Sequence, residues 1–404
     1  MSERRLAERV ARESYGRLLA LLSARTRDVA AAEDALAEAF AAALTAWPRT
    51  GAPTNPEAWL FAAAKRKLID AARRAKAAAE VEPTLTIAAE ELAEEIGAER
   101  TPDRRLDLMF ACAHPEIEPA ARTALMLQTV LGLSAERIAA AFMVAPAAMS
   151  QRLVRAKRRI LEARISFEPP PPAEWGARLN AVLQAIYAAF SEGWSDPEGV
   201  DPDRAGLAEE AVWLARVLVA QVPDEPEALG LLALMLHLDA RRAARRVDGR
   251  FVPLEQQDVA LWDVRKQGEA ELLLLRAGRA DRIGRFQLEA AIQSAHSARR
   301  ARGEADWDAI VLLYDGLARF TSSPVVGLNR AAALARRDGA AAGLAALDQL
   351  GAAMKSYQPY WALRADLLAK LGRAEYARRA YDEAIARERD SAVIRFLSQR
   401  RSAL

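Results

Sequence analysis

The residues best able to do chemistry in this chain are its basic ones, and they are bunched. Residues 65–76 hold Lys65, Arg66, Lys67, Arg73, Arg74 and Lys76 against Asp70; residues 144–165 hold Arg152, Arg155, Lys157, Arg158, Arg159 and Arg164 against Glu162. Between them, residues 80–99 carry glutamates at 80, 82, 90, 91, 94, 95 and 99 and no Lys or Arg. Cations gathered on a helix draw phosphates by releasing counterions, which supplies affinity without discrimination. Discrimination needs side chains that reach base edges. Two basic helices joined by an acidic tether point to nucleic acid, although the net charge of +2 says nothing by itself.

Other chemistries lack their residues. There is no GxxxxGK[ST], no strand-flanked GxGxxG, no GxSxG and no paired-carboxylate constellation, so no catalytic residue is expected and the chain does not read as an enzyme. The one cysteine, Cys112, excludes an intramolecular disulfide and a Cys-rich zinc site, and suits a reducing cytosol. Histidines 114, 237 and 296 fall in no metal-ligand spacing, and Cys112 with His114 reads as packing. Asp248-Gly249-Arg250 makes a turn, with Glu255 and Asp258 beyond it as ion-pair partners rather than metal ligands. No metal or cofactor is expected. The opening MSERRLAERVARESY is polar and no apolar run reaches membrane length, so the expectation is a cytoplasmic protein without signal peptide or membrane contact.

The positioning elements read as helices throughout. A chain of 404 residues exceeds one core, and 52% hydrophobic with 6% aromatic and 28% charged residues is the balance of a soluble all-α protein. Residues 1–78 form three or four helices. One spans 28–47, with Val29, Ala32, Leu36, Phe40 and Leu44 on its apolar side and Asp28, Glu33, Asp34 and Glu38 on the other. After WPRTGAPTNP, Asn55 caps and Pro56 opens a helix that is apolar first and basic second. Residues 79–103 are an acidic linker without a strong apolar face. Residues 104–166 hold a short helix, then one running to Leu131, a break at Gly132, a cap at Ser134, a second helix ending at Met143 and a third from Pro146 to Ile165. Short helix, tight turn and longer basic helix is the helix-turn-helix layout.

Within that third helix, the first turns present Ala147, Ala148, Ser150, Gln151, Arg152 and Arg155. Gln151 and Arg152 or Arg155 can bond to base edges, whereas Lys157, Arg158 and Arg159 suit backbone charge. Aromatics precede the earlier basic run: Trp59 and Phe61, with Trp47 upstream, could pack in the core or stack on unpaired bases. Residues 167–173 are a Pro-rich spacer from FEPPPP. Residues 174–404 are helical pairs. Trp361, Ala365, Leu368, Ala377, Tyr381 and Ala384 match the packing positions of a tetratricopeptide hairpin around an LGR turn. Arg364 and Arg389 depart from that repeat, residues 324–350 match it more loosely, and a generic helical-hairpin array is the alternative. Residues 173–404 hold 32 Lys plus Arg and 32 Asp plus Glu, so they offer phosphate no net attraction.

Taken together, DVAAAEDALAEAF, WP and NPEAWLFAAAKRKLIDAARR resemble region 2 of the extracytoplasmic-function sigma factors, and ARTALMLQTVLGLSAERIAAAFMVAPAAMSQRLVRAKRRI resembles their region 4. PDRRLDLMFACAHPEI and the long helical remainder, with FSEGW, DEPEALGLLALMLHLDARR and SPVVGLNRAAALARRDG, are similar to the subgroup with a tetratricopeptide-like carboxyl-terminal extension. The resemblance implies two small helical sigma domains, followed by a regulatory helical-hairpin domain. It implies a dissociable promoter-specificity subunit whose partners are core RNA polymerase and promoter DNA, with a regulatory protein or intramolecular docking served by the carboxyl half. Asp28, Glu33, Asp34 and Glu38 map to the surface that docks on the polymerase clamp. Trp59, Lys65, Arg66, Lys67, Asp70, Arg73 and Arg74 map to capture of unpaired minus-ten DNA. The third helix of region 4, with Ser150 through Arg159, maps to the upstream element, and the acidic linker to the channel toward the active centre. A glutamine common in the clamp helix is Ala37 here, and an asparagine common before the basic run is Arg66. The competing reading is a one-component helix-turn-helix regulator with a helical sensor, which leaves the first hundred residues idle; a pure helical-repeat scaffold ignores both basic helices.

Overall fold

Three long helices open the chain, and two of them start where the sequence supplies a cap. α1 spans Glu3–Thr26. α2 spans Val29–Thr50, and the Asp28 carboxylate accepts from the Ala31 amide at 3.0 Å in the N-cap position. α3 spans Pro56–Ala78 behind Asn55, whose side-chain oxygen accepts from the Ala58 amide at 3.1 Å. A computed structural model describes residues 3–78, 103–142, 144–171, 174–194, 206–351 and 354–404; the acidic run of residues 80–99 and the helix end at Met143 lie outside them. The buried stripe of α2 is Val29, Ala32, Ala35, Leu36, Ala39, Ala43 and Trp47, so the expected face holds at Val29, Ala32 and Leu36 and is corrected at Phe40, half-buried, and Leu44, exposed. Steps of four advance about 40° past a full turn each time, so residues 40 and 44 drift off a face that steps of three and four keep in register.

The next helices close on the first three. α4 (Arg105–Cys112) has every residue buried except Asp107 and packs against α1 and against α5 (Pro119–Thr129). Gly132, at φ +67°, ends that run. α6 (Ala135–Ala141) starts at Ser134, whose hydroxyl accepts from the Arg137 amide at 3.4 Å. α7 (Pro146–Glu162) buries Met149, Leu153, Ala156 and Ile160 and leaves its other faces open. The approach of α1 to the end of α5 depends on Gly16: a Cβ there would lie 1.8 Å from the Val130 carbonyl oxygen. α8 (Trp175–Trp194) kinks at Gly176, and the chain divides within it into two units, residues 1–189 and 190–404.

The second unit is built around α10 (Pro226–Asp239), which is apolar on every side and buried from Pro226 to His237 but for Glu227. Around it lie α9 (Leu207–Gln221), α11 (Val264–Gly278) and α12 (Arg285–Ser297). The Glu227 carboxylate accepts from the amides of Phe286 and Gln287 at 3.0 and 3.1 Å, so α10 caps the start of α12. Further on come α13 (Trp307–Leu317), α14 (Pro324–Arg337), α15 (Ala340–Asp348), α16 (Gln358–Lys370), α17 (Ala374–Ala386) and α18 (Ser391–Ser402). Ala365, Leu368, Ala377, Tyr381 and Ala384 join Leu328, Leu344 and Leu397 in one apolar cluster, with Trp361 at its edge. The fold is all-α but for a hairpin among the described residues, β1 (Arg246–Val247) and β2 (Arg250–Phe251). Asp248 and Gly249 both have positive φ, 50° and 67°, the requirement of a two-residue turn between twisted strands. Phe251 meets Phe396 of α18 edge-on at 5.5 Å and Arg395 donates to the Gly249 carbonyl at 3.1 Å, which ties the hairpin to the last helix.

Buried histidines make this unit sensitive to acid. Burial, then the charge of Arg241, holds His237 and His296 down at about 4 from the ordinary 6.5. The unfolded imidazoles take up protons near 6.5 and the folded ones only near 4, so the stability they supply is complete above pH 6.5 and drains as the pH falls toward 4. In urea titrations of the full chain, the midpoint of the carboxyl-terminal transition should fall across that window, and His237→Leu should flatten the fall. A midpoint independent of pH between 6.5 and 4 would show that both imidazoles are solvated.

Candidate nucleic-acid interface

On α7 the periodicity that buries Met149, Leu153, Ala156 and Ile160 turns Gln151, Arg155 and Arg158 outward. Ser150 and Arg152 are half-buried at the rim. Among the described residues no carboxylate pairs with Arg152 or Arg155, so both guanidinium groups are open to a ligand. The three cations assigned to backbone charge are all engaged: Lys157 with Glu33, Arg158 with Glu162 at 2.6 Å and Arg159 with Glu116. Val154 projects between Gln151 and Arg158 with 64% of its surface exposed. Sequence reasoning passed it over, although an apolar residue at a solvent-facing helical position is a signal, and an apolar side chain there can meet a thymine methyl.

α3 splits its basic run. Arg66, Lys67 and Arg73 are exposed, Lys67 reaching Glu38 of α2 at 2.8 Å; the Arg74 side chain lies outside the described set. Lys65 is 7% exposed, and its ammonium is lowered by desolvation and by the charge of Arg25. It follows Ala64 and Leu60 on the inner face, so it does not stand with Arg66 and Lys67. Trp47 is buried in the core; Trp59 lies against it edge-on at 5.6 Å and stays half-buried, while Phe61 lies under Arg25 at 5.4 Å. The choice between core and stacking therefore falls to core for Trp47 and leaves Trp59 with an accessible part.

The acidic residues of α2 are unequal. Asp28 is a cap, Asp34 is exposed and Glu38 is exposed beside Lys67. Glu33 points into the first unit, where its carboxylate accepts from Lys157 of α7 and from the Tyr15 hydroxyl at 3.5 Å. The Glu33 and Lys157 side chains are only 17% and 11% exposed. Desolvation and then Glu33 raise the Tyr15 hydroxyl far above its ordinary range, so Tyr15 acts as a neutral donor. Nearby, burial pushes the Cys112 thiol up to about 12, with Thr129 Oγ1 at 3.7 Å, and the residue packs rather than reacts. No group of three His, Cys, Asp or Glu able to hold a metal occurs among the described residues. No helix among them is long and apolar enough to cross a membrane.

Residues 10–78 match the Sigma-70 region 2 family, covering α1 to α3, and residues 178–278 match a family of unknown function (DUF6596), covering most of α8 through the end of α11. The chain is similar to an uncharacterized protein of Rhizobium meliloti (strain 1021), 40% identical over 384 residues, 91% of this chain and 91% of that protein. No solved structure matches the chain. A sigma-70 region 2 supports a role in transcription initiation and implies core RNA polymerase and promoter DNA as binding partners. The chain thus belongs to the same family as its Rhizobium meliloti relative and carries a sigma-70 region 2, which supports a place among the sigma factors.

Proposed function

We propose that this protein is a sigma factor of the extracytoplasmic-function kind, a dissociable subunit that directs bacterial RNA polymerase to particular promoters. One observation carries the reading. A region 2 with an exposed basic stretch on α3 shares a unit with a helix-turn-helix whose outward face holds Gln151, Arg152 and Arg155 without acidic partners. A one-component regulator would need only the second of these. The α16–α17 pair supports the tetratricopeptide-like reading of residues 174–404, and their balanced charge supports a regulatory or partner-binding role rather than a further DNA contact. The test is direct: purified full-length protein added to sigma-free core polymerase should give initiation from a specific promoter, and absence of promoter-dependent initiation with any genomic fragment would remove the proposal.

The Glu33–Lys157 pair joins the clamp-facing helix to the DNA-facing one, so in the free chain each side occupies the other. Lys157→Gln should release Glu33 and tighten core binding about fivefold, the factor that ~1 kcal/mol of lost closure supplies. Glu33→Gln should weaken it. Equal affinities for wild type and both variants in equilibrium binding would show that Glu33 does not face polymerase.

Arg155 and Arg158 should divide specificity from affinity. A good bidentate base contact is worth about 1–3 kcal/mol, so Arg155→Ala should relax preference at one position of the upstream element. Arg158→Ala should weaken binding to all sequences alike and lower the salt dependence. Competition binding against single-base promoter variants at several salt concentrations separates the two; parallel losses would contradict the division.

A further inference from the structure

Among the described residues, the carboxyl-terminal unit gathers buried and half-buried arginines that its carboxylates answer only in part. Arg241, Arg242, Arg245 and Arg246 cluster where α10 ends and the hairpin begins. Arg242 is paired with Asp239 at 2.8 Å and with Glu209, and Arg246 with Asp390. Arg241 and Arg245 have no carboxylate partner among the described residues. Arg241, 6% exposed, donates to the side-chain oxygen of Gln293 at 2.5 Å and lies over the Trp262 ring at 5.8 Å. Arg245 donates to the Trp194 carbonyl at 2.6 Å and stacks on the Trp194 ring at 4.0 Å. Every acceptor either one has is uncharged.

Donors are left over as well. Among the described residues, Arg241 Nη1, Arg242 Nη2 and both Nε and Nη1 of Arg246 are buried without an acceptor, and so is the indole N–H of Trp262. Burying a guanidinium is costly unless an opposite charge answers it, and a cation–aromatic contact returns only a part of that cost. The neighbouring imidazoles of His237 and His296 cannot answer this charge, since an imidazole is neutral or positive, and the charge of Arg241 helps to hold both in the neutral form. Burial, then mutual repulsion, lowers both arginines to about 10: Arg245 acts on Arg241, and Arg246 and Arg242 act on Arg245, with Tyr314 opposing the shift at Arg241 and the Asp390 carboxylate, bonded to Arg246, opposing it only in part at Arg245. A buried water would satisfy donors but would leave the charge unanswered.

We infer that the segment from Arg241 to Arg246, backed by Trp194 and Trp262, is a binding site for a small oxyanion, a carboxylate or phosphate group held by the Arg241 and Arg245 guanidinium forks. The planar forks suit the flat carboxylate edge or two phosphate oxygens. Arg246 is taken up by Asp390 at the start of α18, which leaves Arg241, beside Gln293 and Trp262, and Arg245, on Trp194, to hold the anion. This site stands apart from the promoter reading, because every residue in it lies in the second unit.

The test uses the full chain, with sodium phosphate and sodium succinate titrated separately at ionic strength held constant with chloride, followed by calorimetry and thermal midpoint. One or both anions should bind saturably and raise the midpoint, and which one does identifies the group. Arg241→Met with Arg245→Met should weaken binding at least tenfold, while Arg279→Ala, which removes an exposed cation of the same unit outside both sites, should leave it in place. Should the double variant not fold, Arg245→Lys keeps the charge without the fork and should still weaken binding about tenfold. The inference is overturned if neither anion binds the wild type, if the Arg241 and Arg245 variants bind as tightly as it does, or if Arg279→Ala abolishes binding.

Discussion

The first unit turns on a contact without side chains, the approach of Gly16 to the Val130 carbonyl. Any larger residue would place a carbon 1.8 Å from that oxygen, so α1 could not lie against the end of α5. With α1 seated there, the Tyr15 ring comes against Gly132, and the Tyr15 hydroxyl reaches Glu33. α4 then packs between α1 and α5, which is why an eight-residue helix in the middle of the chain is almost entirely buried. The Glu33–Lys157 pair follows from this seating and would not form without it.

What could be read beforehand was local. Asp28, Asn55 and Ser134 cap helices because a short polar side chain before an apolar run has amides two or three residues away to accept from, and that geometry needs no other part of the chain. The two faces of α7 were legible for the same reason, since a period of 3.6 is written in one segment. Glu33 and Lys157 are 124 positions apart, and nothing in either segment tells which charge on a helix will turn inward. Lys65 sat in a basic run, yet one step of about 100° from Ala64 puts it at the wall of the core rather than with Arg66. The repeat signal at Trp361 to Ala384 was readable because one helical hairpin buries its own faces; the charge cluster at Arg241 was not, because its partners come from α8, α12 and the chain before α11.

The two units solve the burial of charge differently. In the first, Lys157 goes inside together with Glu33, so each member offsets the desolvation of the other, and Tyr15 adds a neutral hydrogen bond. In the second, α10 spends nearly all its surface on apolar contacts, and the polar side chains displaced from it gather at its carboxyl end, where Asp239 answers both Arg242 and Lys266. One arrangement is complete within the chain. In the other, Arg242, Arg246 and Lys266 have carboxylates, while Arg241 and Arg245 face neutral oxygens and aromatic rings among the described residues.

That the first unit is fastened partly by an ion pair matters for how it can open. Apolar contacts between α4, α1 and α5 give up their energy only when water enters, whereas the Glu33–Lys157 pair yields to any better charge partner on either side. Under the proposed function, a cationic surface of polymerase competes for Glu33 and a phosphate competes for Lys157. Whatever takes one member removes the closing energy that the other opposed, so the affinity gained by DNA when polymerase is bound equals that gained by polymerase when DNA is bound. Under that reading, a latch made of one acid from α2 and one base from α7 would couple the two ligands through a single shared contact.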